Sequence, residues 1–309
     1  FTKLPSILEQ KAYRDTWGRG VESYVQWFYE TCVFLNELLA DGGSIYVHLD
    51  WHIGHYAKVV LDEVFGIECF DSEIIWKSTS AHANNKTYGN IHQTILFYIK
   101  GGRPDCFNTP YVPYEDDYVE QYYRYKDNDG RRFMSGDLVG HSGVNPVYEW
   151  RGIVRPWRFP KHRLDELDAS GKIFWTRNKF PRLKRYLDKA KGMPAQSIWT
   201  DKETQYIVSW STEGVGYETQ KPLGLLRRII AASSNENDLV LDAFCGSGTT
   251  LVAAEQLNRR WIGCDLGRFA IHTTRKRLLD VANLKPFVVQ NLGKYERQEW
   301  QVAQFPTNG

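Results

Sequence analysis

A chain of 309 residues, 42% apolar and 25% charged, can bury one large core or two modest ones and is composed like an ordinary globular protein. Its formal net charge of +2 excludes a polycation, and no apolar run approaches the roughly 20 residues needed to span a bilayer. Five cysteines (Cys32, Cys69, Cys106, Cys245 and Cys264) without a C-x-x-C pair fit a reducing compartment, and Phe1-Thr2-Lys3-Leu4-Pro5 has no secretory pattern, so the expected location is cytoplasmic and no membrane partner is expected.

In chain order, Val21 to Ala40 places Tyr24, Trp27, Phe28, Leu35, Leu38 and Leu39 at helical spacing, and Asp41-Gly42-Gly43 supplies the stop. Ser44 to Leu49 reads as a buried strand. A second helix follows with Ile53, Tyr56, Val59, Val60 and Val64 on one face, ending at Gly66. Glu73 to Trp76 and Thr94 to Ile99 read as further strands, and strand–helix–strand succession predicts a parallel or mostly parallel sheet. His48, His52 and His55 have only Asp50 as a nearby carboxylate. The expectation is therefore no metal, with the histidines at a strand end and a first helical turn.

From about Ser78 to Tyr217 the periodicity weakens while Tyr, Trp, Arg, Asp and Gly become frequent. Residues 163–167 and 181–187 are predicted as short helices, and the whole stretch as a second domain or long elaboration, because a structureless loop of that length is improbable inside one domain. Residues 151–191 hold 13 Lys/Arg against 4 Asp/Glu, an excess suited to a phosphate-facing patch or, alternatively, to a solvated basic face. Beyond it, Thr219-Gln220-Lys221-Pro222 opens a helix with Leu223, Leu226, Ile229 and Ile230 on its core face. Leu239-Val240-Leu241 reads as a fully apolar strand, Thr250 to Leu257 as a helix, 261–264 as a strand, and Phe269 to Val281 as a helix.

The sharpest signal is Leu241-Asp242-Ala243-Phe244-Cys245-Gly246-Ser247-Gly248-Thr249-Thr250, set between a strand and a helix. Gly246 and Gly248 allow a tight turn and close approach of backbone to a ligand. Asp265 ends the next strand, about 20 residues on, where a carboxylate can accept hydrogen bonds from ribose hydroxyls. Leu251 stands where a dinucleotide fingerprint has Gly or Ala, and there is no phosphate-loop Lys. A phosphate-free nucleoside ligand, S-adenosyl-L-methionine, fits better than NAD; a nicotinamide enzyme and a structural glycine turn remain the alternatives.

These residues resemble the β-group of DNA amino-methyltransferases, in which cofactor motifs follow the catalytic ones. The likeness rests on the run from Asp242 to Thr250, on Thr219-Gln-Lys-Pro-Leu before it and on Trp261-Ile-Gly-Cys-Asp265 after it. Upstream, Lys11-Ala-Tyr-Arg-Asp-Thr-Trp-Gly, Leu39-Ala-Asp-Gly-Gly-Ser-Ile-Tyr-Val-His and Asn90-Ile-His-Gln-Thr-Ile-Leu-Phe-Tyr add to it. The chain is most similar to type III modification subunits and related stand-alone adenine methylases. The resemblance implies a Rossmann-like α/β methyltransferase fold with permuted motif order, a mostly parallel sheet and an inserted target-recognition domain. It divides the chain into 1–78, the first part of the catalytic domain; 79–217, the recognition region, of which 79–100 can still belong to the catalytic sheet; 218–285, the second catalytic part; and 286–309, a tail. Asp242, Phe244, Gly246, Gly248 and Thr249 would surround the methionine and sulfonium, Asp265 would hold the ribose, and Lys221 with Pro222 would close the pocket.

The family's Asp-Pro-Pro-Tyr or Asp-Pro-Pro-Phe tetrad does not occur. Asn108-Thr109-Pro110-Tyr111 is only superficially similar, lying inside the expected recognition region. The tetrad is expected upstream of Phe1, just before Lys3-Leu4-Pro5-Ser6-Ile7, which would also account for the missing initiator Met; Asp15 and Trp17 would then border a flipped base. By resemblance the reaction is methyl transfer to the exocyclic amino nitrogen of a flipped adenine, with neither metal nor covalent enzyme intermediate. Double-stranded DNA is the expected partner, and a restriction subunit and a homodimer stay open. Arg131, Arg132, Arg151, Arg155, Trp157 and Arg158 are the candidate DNA contacts, through guanine edges, phosphates or a Trp wedge. Cytosine-N4 methylation, a catalytically silent DNA-binding protein, an RNA methyltransferase and an NAD-dependent oxidoreductase are the alternatives.

Overall fold

A computed structural model describes residues 20–81, 86–208 and 210–291. Asp15, Trp17 and the Lys3–Ile7 segment lie outside the described residues. The chain divides into two compact units, 1–108 with 202–309, and 109–201. No described helix is long and apolar enough to cross a membrane.

In the first segment, α1 (Val21–Leu38) ends at an extended Leu39, ahead of the expected Asp41-Gly42-Gly43 stop; Gly42, at φ 72, lies in the turn that leads into β1 (Ser44–Leu49), and α2 (Gly54–Phe65), β2 (Phe70–Lys77) and β3 (His92–Ile99) follow. Gly66, at φ 92, closes α2, a backbone region that glycine enters without steric cost. Phe28 and Cys32 of α1, one turn apart, pack with Ala57, Val60, Leu61 and Phe65 of α2 and with Leu96 and Tyr98 of β3. The α2 face differs from the sequence expectation: Tyr56 and Val59 are exposed, while Ala57 and Leu61 are buried. Both sets obey helical spacing, and packing against α1 and β3 decides which is buried.

β3 lies between β1 and β2 and pairs antiparallel with both, with Val47 opposite Leu96 and Ile74 opposite Ile95. β1 and β2 run in the same direction, but β3 is inserted between them and antiparallel to both, so this sheet departs from the mostly parallel pairing expected of a strand–helix–strand succession; the later strands Leu239–Asp242 and Arg260–Gly263 keep it.

The 109–201 unit begins with β4 (Tyr111–Val112), α3 (Asp116–Tyr122), β5 (Tyr125–Lys126) and β6 (Arg132–Gly136), then the hairpin β7 (Val147–Trp150) and β8 (Ile153–Pro156). It continues through α4 (Lys161–Ala169), β9 (Ile173–Trp175), β10 (Pro181–Tyr186), β11 (Met193–Pro194) and β12 (Ile198–Trp199). A sheet in the order β5-β6-β10-β9 forms its frame. Residues 181–187, expected as a helix, instead form β10 and run on into a short turn, because β6 and β9 pair with β10 on both sides. Pro181 is tolerated there as the first residue of the strand.

The core of this unit holds Leu138, Trp150, Trp157, Leu164, Leu167 and Ile173. Trp157 is fully buried, edge-on to Trp150 at 5.8 Å, and its indole N–H donates to the Tyr148 carbonyl at 3.0 Å. It is a core residue and no wedge for DNA, which corrects the sequence expectation.

The chain then returns to the first unit through α5 (Leu223–Ser233), β13 (Leu239–Asp242), α6 (Thr249–Gln256), β14 (Arg260–Gly263) and α7 (Arg268–Leu279). β13 and β14 are parallel, with Asp242 opposite Gly263. Leu239 and Leu241 of the apolar run 239–241 are 54% and 40% exposed, since β13 has a partner strand on one edge alone among the described residues.

The units meet at 108/109 and 201/202, the first just beyond the 79–100 stretch left free to join the first sheet and the second earlier than the expected 217/218. β3 belongs to the β1–β2 sheet, and residues from 202 onward fold onto α5, where Glu203 pairs with buried Arg228 at 2.8 Å and Trp76 donates to the Thr204 carbonyl at 2.6 Å. Asn108 does not act as part of a catalytic tetrad here: its side-chain amide donates to the carbonyls of Ala231 and Ser234 at the end of α5.

Trp157→Ala is expected to destabilise the protein by about 3–5 kcal/mol. Urea unfolding measures this; an exposed, DNA-contacting tryptophan would leave the midpoint unchanged.

Candidate functional site

The turn between β13 and α6 takes its shape from residues that cannot be enlarged. Gly246 sits at φ 51 and Gly248 at φ 76. A Cβ on Gly248 would fall 2.6 Å from the Thr274 side chain, and one on Gly246 would touch the Tyr217 ring at 3.4 Å. Gly263, opposite Asp242 in β14, lets Leu251 of α6 press onto the strand, where a Cβ would come within 2.5 Å. Leu251, unusual for a dinucleotide site, is thus buried in the helix–strand packing.

Two carboxylates flank the turn. Asp242 accepts from the Phe244 amide at 3.0 Å, and burial, with Asp265 adding like charge, pushes its carboxyl above the ordinary range. Asp265 accepts from the amides of Gly246 at 2.9 Å and Gly267 at 2.7 Å, one on each oxygen. Each of those oxygens retains a further lone pair for a ligand hydroxyl. Cys245, between the carboxylates and buried, has its thiol pushed up to about 12, first by burial and then by Asp242 and Asp265, so it is no nucleophile at neutral pH.

The turn is fastened from α7. Arg277 donates to the Ser247 carbonyl at 2.9 Å and the Thr249 hydroxyl at 2.8 Å, and the Thr274 hydroxyl donates to the Gly246 carbonyl at 3.0 Å. Thr249, expected at the cofactor, therefore has its hydroxyl committed inside the turn. Neither Arg277 nor Thr274 was singled out from sequence. The available signal was helical spacing: Ala270, Thr274, Arg277 and Leu278 share one face of α7, three of them buried.

Phe244 is 57% exposed and meets Trp27 of α1 edge-on at 5.6 Å, which joins the first segment to the turn. Tyr217 stacks on Phe269 at 5.7 Å beside Gly246. Pro222 is the N-cap of α5, and the Leu223 amide is capped by the Glu213 carboxylate. Lys221 is half-buried, donates to the Thr219 carbonyl at 3.1 Å, and has its pKa lowered by burial.

Lys221 is also felt by His48. That imidazole shares a hydrogen bond with Gln93 at 2.7 Å and meets Trp76 edge-on. Burial, then the Lys221 charge, lowers its pKa to about 3 against the opposing effect of Gln93, so it is neutral at physiological pH. His52 bonds Asp50, and no group of three metal-binding side chains exists among the described residues.

The DNA-contact candidates separate. Arg131 forms a bidentate pair with Asp188 and lies over the Tyr186 ring. Arg132 is half-buried and donates to the Tyr123 and Val119 carbonyls, a structural role that corrects the expectation of a free contact. Arg158 donates to the Val139 carbonyl, and Arg151 pairs with Asp168 at 3.0 Å. Arg155 is exposed and makes no side-chain hydrogen bond or ion pair among the described residues.

Residues 10–276 match the family described as DNA methylase, N6_N4_Mtase, and the chain belongs to that family. It is 34% identical over 263 residues to the type II methyltransferase M.EcaI of Enterobacter cloacae, covering 82% of this chain and 57% of that protein. It is 27% identical over 259 residues to the StyLTI Mod subunit, a type III restriction-modification enzyme of Salmonella typhimurium, covering 78% and 39%. The DNA adenine methyltransferase YhdJ of Escherichia coli is 24% identical over 277 residues, covering 89% and 73%. The chain thus spans 57% and 39% of the first two relatives.

The His48 shift makes a testable demand. The unfolded chain binds a proton at the ordinary imidazole pKa of 6.5 while the folded one does not until about 3, so stability contributed by neutral His48 is lost as pH falls through that window. The unfolding free energy is expected to fall by about 1.4 kcal/mol per pH unit from this group. His48→Gln should remove that part of the slope in urea titrations between pH 4 and 6.

Proposed function

We propose that the β13–α6 turn binds S-adenosyl-L-methionine and that the protein transfers its methyl group to the exocyclic N6 of adenine in double-stranded DNA. The observation that carries the cofactor assignment is the donor set: two carboxylates beside a glycine cradle, with no lysine within the turn itself, while Lys221 beside it is engaged with the Thr219 carbonyl. Such a site suits a cationic nucleoside. A pyrophosphate would meet the field of Asp242 and Asp265 with the wrong sign.

When bound, the cofactor supplies an electrophilic methyl group on a sulfonium. The residues of this chain bind and orient it. Asp265, fixed by the Gly246 and Gly267 amides, offers its remaining lone pairs to the ribose hydroxyls. Asp242 places negative charge near the cationic end, and Phe244, backed by Trp27, offers an apolar wall. Lys221 and Pro222, at the head of α5, close the neighbouring side. Arg277 and Thr274 keep the turn in one conformation, so that its ordering is settled before the ligand arrives. Neutral His48 adds no positive charge to the surroundings.

The adenine target is supported by the similarity to YhdJ, a DNA adenine methyltransferase. Base flipping would precede transfer, as it must for any enzyme acting on an atom inside the stack.

Calorimetry with S-adenosylmethionine tests the cofactor reading. Asp265→Ala is expected to weaken binding at least tenfold, and Gly248→Ala to abolish it by closing the turn. Because the Asp242 carboxyl is raised, it protonates at a higher pH than an ordinary carboxylate. Affinity for the cation should therefore decline on acidification earlier than such a group would allow, and Asp242→Asn should remove that limb. Binding of NAD in place of the sulfonium ligand would sink the assignment. The target base is read from DNA of cells expressing the full-length gene, assayed for both N6-methyladenine and N4-methylcytosine.

A further inference from the structure

Two hairpin tips in the 109–201 unit face one open cavity of about 660 Å³, within the ~300–1,000 Å³ of typical ligand clefts. The first tip is Arg151-Gly152, joining β7 to β8, with φ 49 and 77, the paired positive values of a tight two-residue hairpin turn. The second lies between β9 and β10, where Lys179 takes φ 54 and donates its amide to the Thr176 carbonyl at 2.9 Å. A left-handed Arg and a left-handed Lys both depart from ordinary side-chain-bearing backbone.

The lining includes Arg151, Ile153, Arg155, Trp175, Lys179 and Phe180: three cations, two apolar side chains, an indole and no carboxylate. Arg151 is partly neutralised by Asp168, whereas Arg155 and Lys179 have no side-chain partner among the described residues. Trp175 is held in place. One of its faces stacks on buried Trp150 at 5.8 Å and 14°, and its N–H points at Asp168 at 3.4 Å, yet it remains 39% exposed where it lines the cavity.

Free cations beside a preorganised aromatic face match a phosphate joined to a base. A lone anion would use the cations and leave the indole idle. We propose that this cavity receives one unstacked nucleotide of the bound DNA, with its phosphate on Arg155 and Lys179 and its base on Trp175. This rests on the DNA-methylase reading above. Asp168 acts as a positioning residue, aligning Arg151 and the edge of Trp175.

Fluorescence anisotropy with the full chain tests it, using a labelled duplex either fully paired or with one extrahelical nucleotide. The bulged duplex should bind about tenfold tighter. Trp175→Ala should lose most of that preference, and Trp175→Phe, which keeps a ring in place, should restore it. Arg155→Gln and Lys179→Gln should weaken both duplexes and each lower the slope of log affinity against log salt by about 0.9. Calorimetric binding of S-adenosylmethionine should be unchanged in all four variants. Full preference retained in Trp175→Ala, or an unaltered salt slope in both charge variants, overturns the proposal while leaving the DNA reading intact. A chain that binds neither duplex overturns both.

Discussion

The guanidinium of Arg277 reaches from α7 into the underside of the β13–α6 turn and holds a backbone carbonyl and a hydroxyl at once. Two positive-φ glycines would otherwise give this loop unusual conformational freedom, with an entropic cost on every binding event. The clamp removes that freedom in advance. It works together with Thr274, which occupies the space a side chain at position 248 would need, and with Asp265, whose two oxygens tie position 246 to position 267. Binding surface, loop shape and the parallel β13–β14 pair are thus one unit. A change at any of these residues is felt at the others.

The same cluster separates charge by depth. Burial lowers the pKa of Arg277 and raises that of Asp242, so each charged form is held at some cost and neither is well hydrated. Asp242 and Asp265 hold amides of the turn, whereas Arg277 holds its Ser247 carbonyl and Thr249 hydroxyl. The neighbouring histidine is neutral because its surroundings exclude water. The result is a local field that favours a cation at the turn without a net negative protein.

Much of this was legible in the sequence, and what was legible had a short-range cause. Gly66 ends a helix, and Gly246, Gly248 and Asp265 mark a tight strand-to-helix turn, because backbone geometry restricts those places to few residue types. What was missed depends on partners distant in the chain. Residues 181–186 have helix-like composition and became a strand because β6 and β9 flank them. Trp157, amid arginines, looked like a nucleic-acid contact until its burial against Trp150 was seen. Arg277 stood in a basic run that gave no hint of which residue turns inward. Helical spacing alone could not choose between Val59 and Leu61 on α2.

Two residues of the first unit that flank 109–201 in the chain are both bonded to α5. Asn108, just before that stretch, is bonded to carbonyls at the C-terminal end of α5, and Glu203, just after it, is paired with Arg228 in the middle of the same helix. Gly224 lets that second residue approach closely, since a Cβ there would collide with the Glu203 carbonyl. A segment whose flanking residues are held independently of it can be exchanged like a cassette. Residues 109–201 can then be replaced or lengthened while the anchoring helix and the β13–α6 turn that follows it in the chain remain as they were.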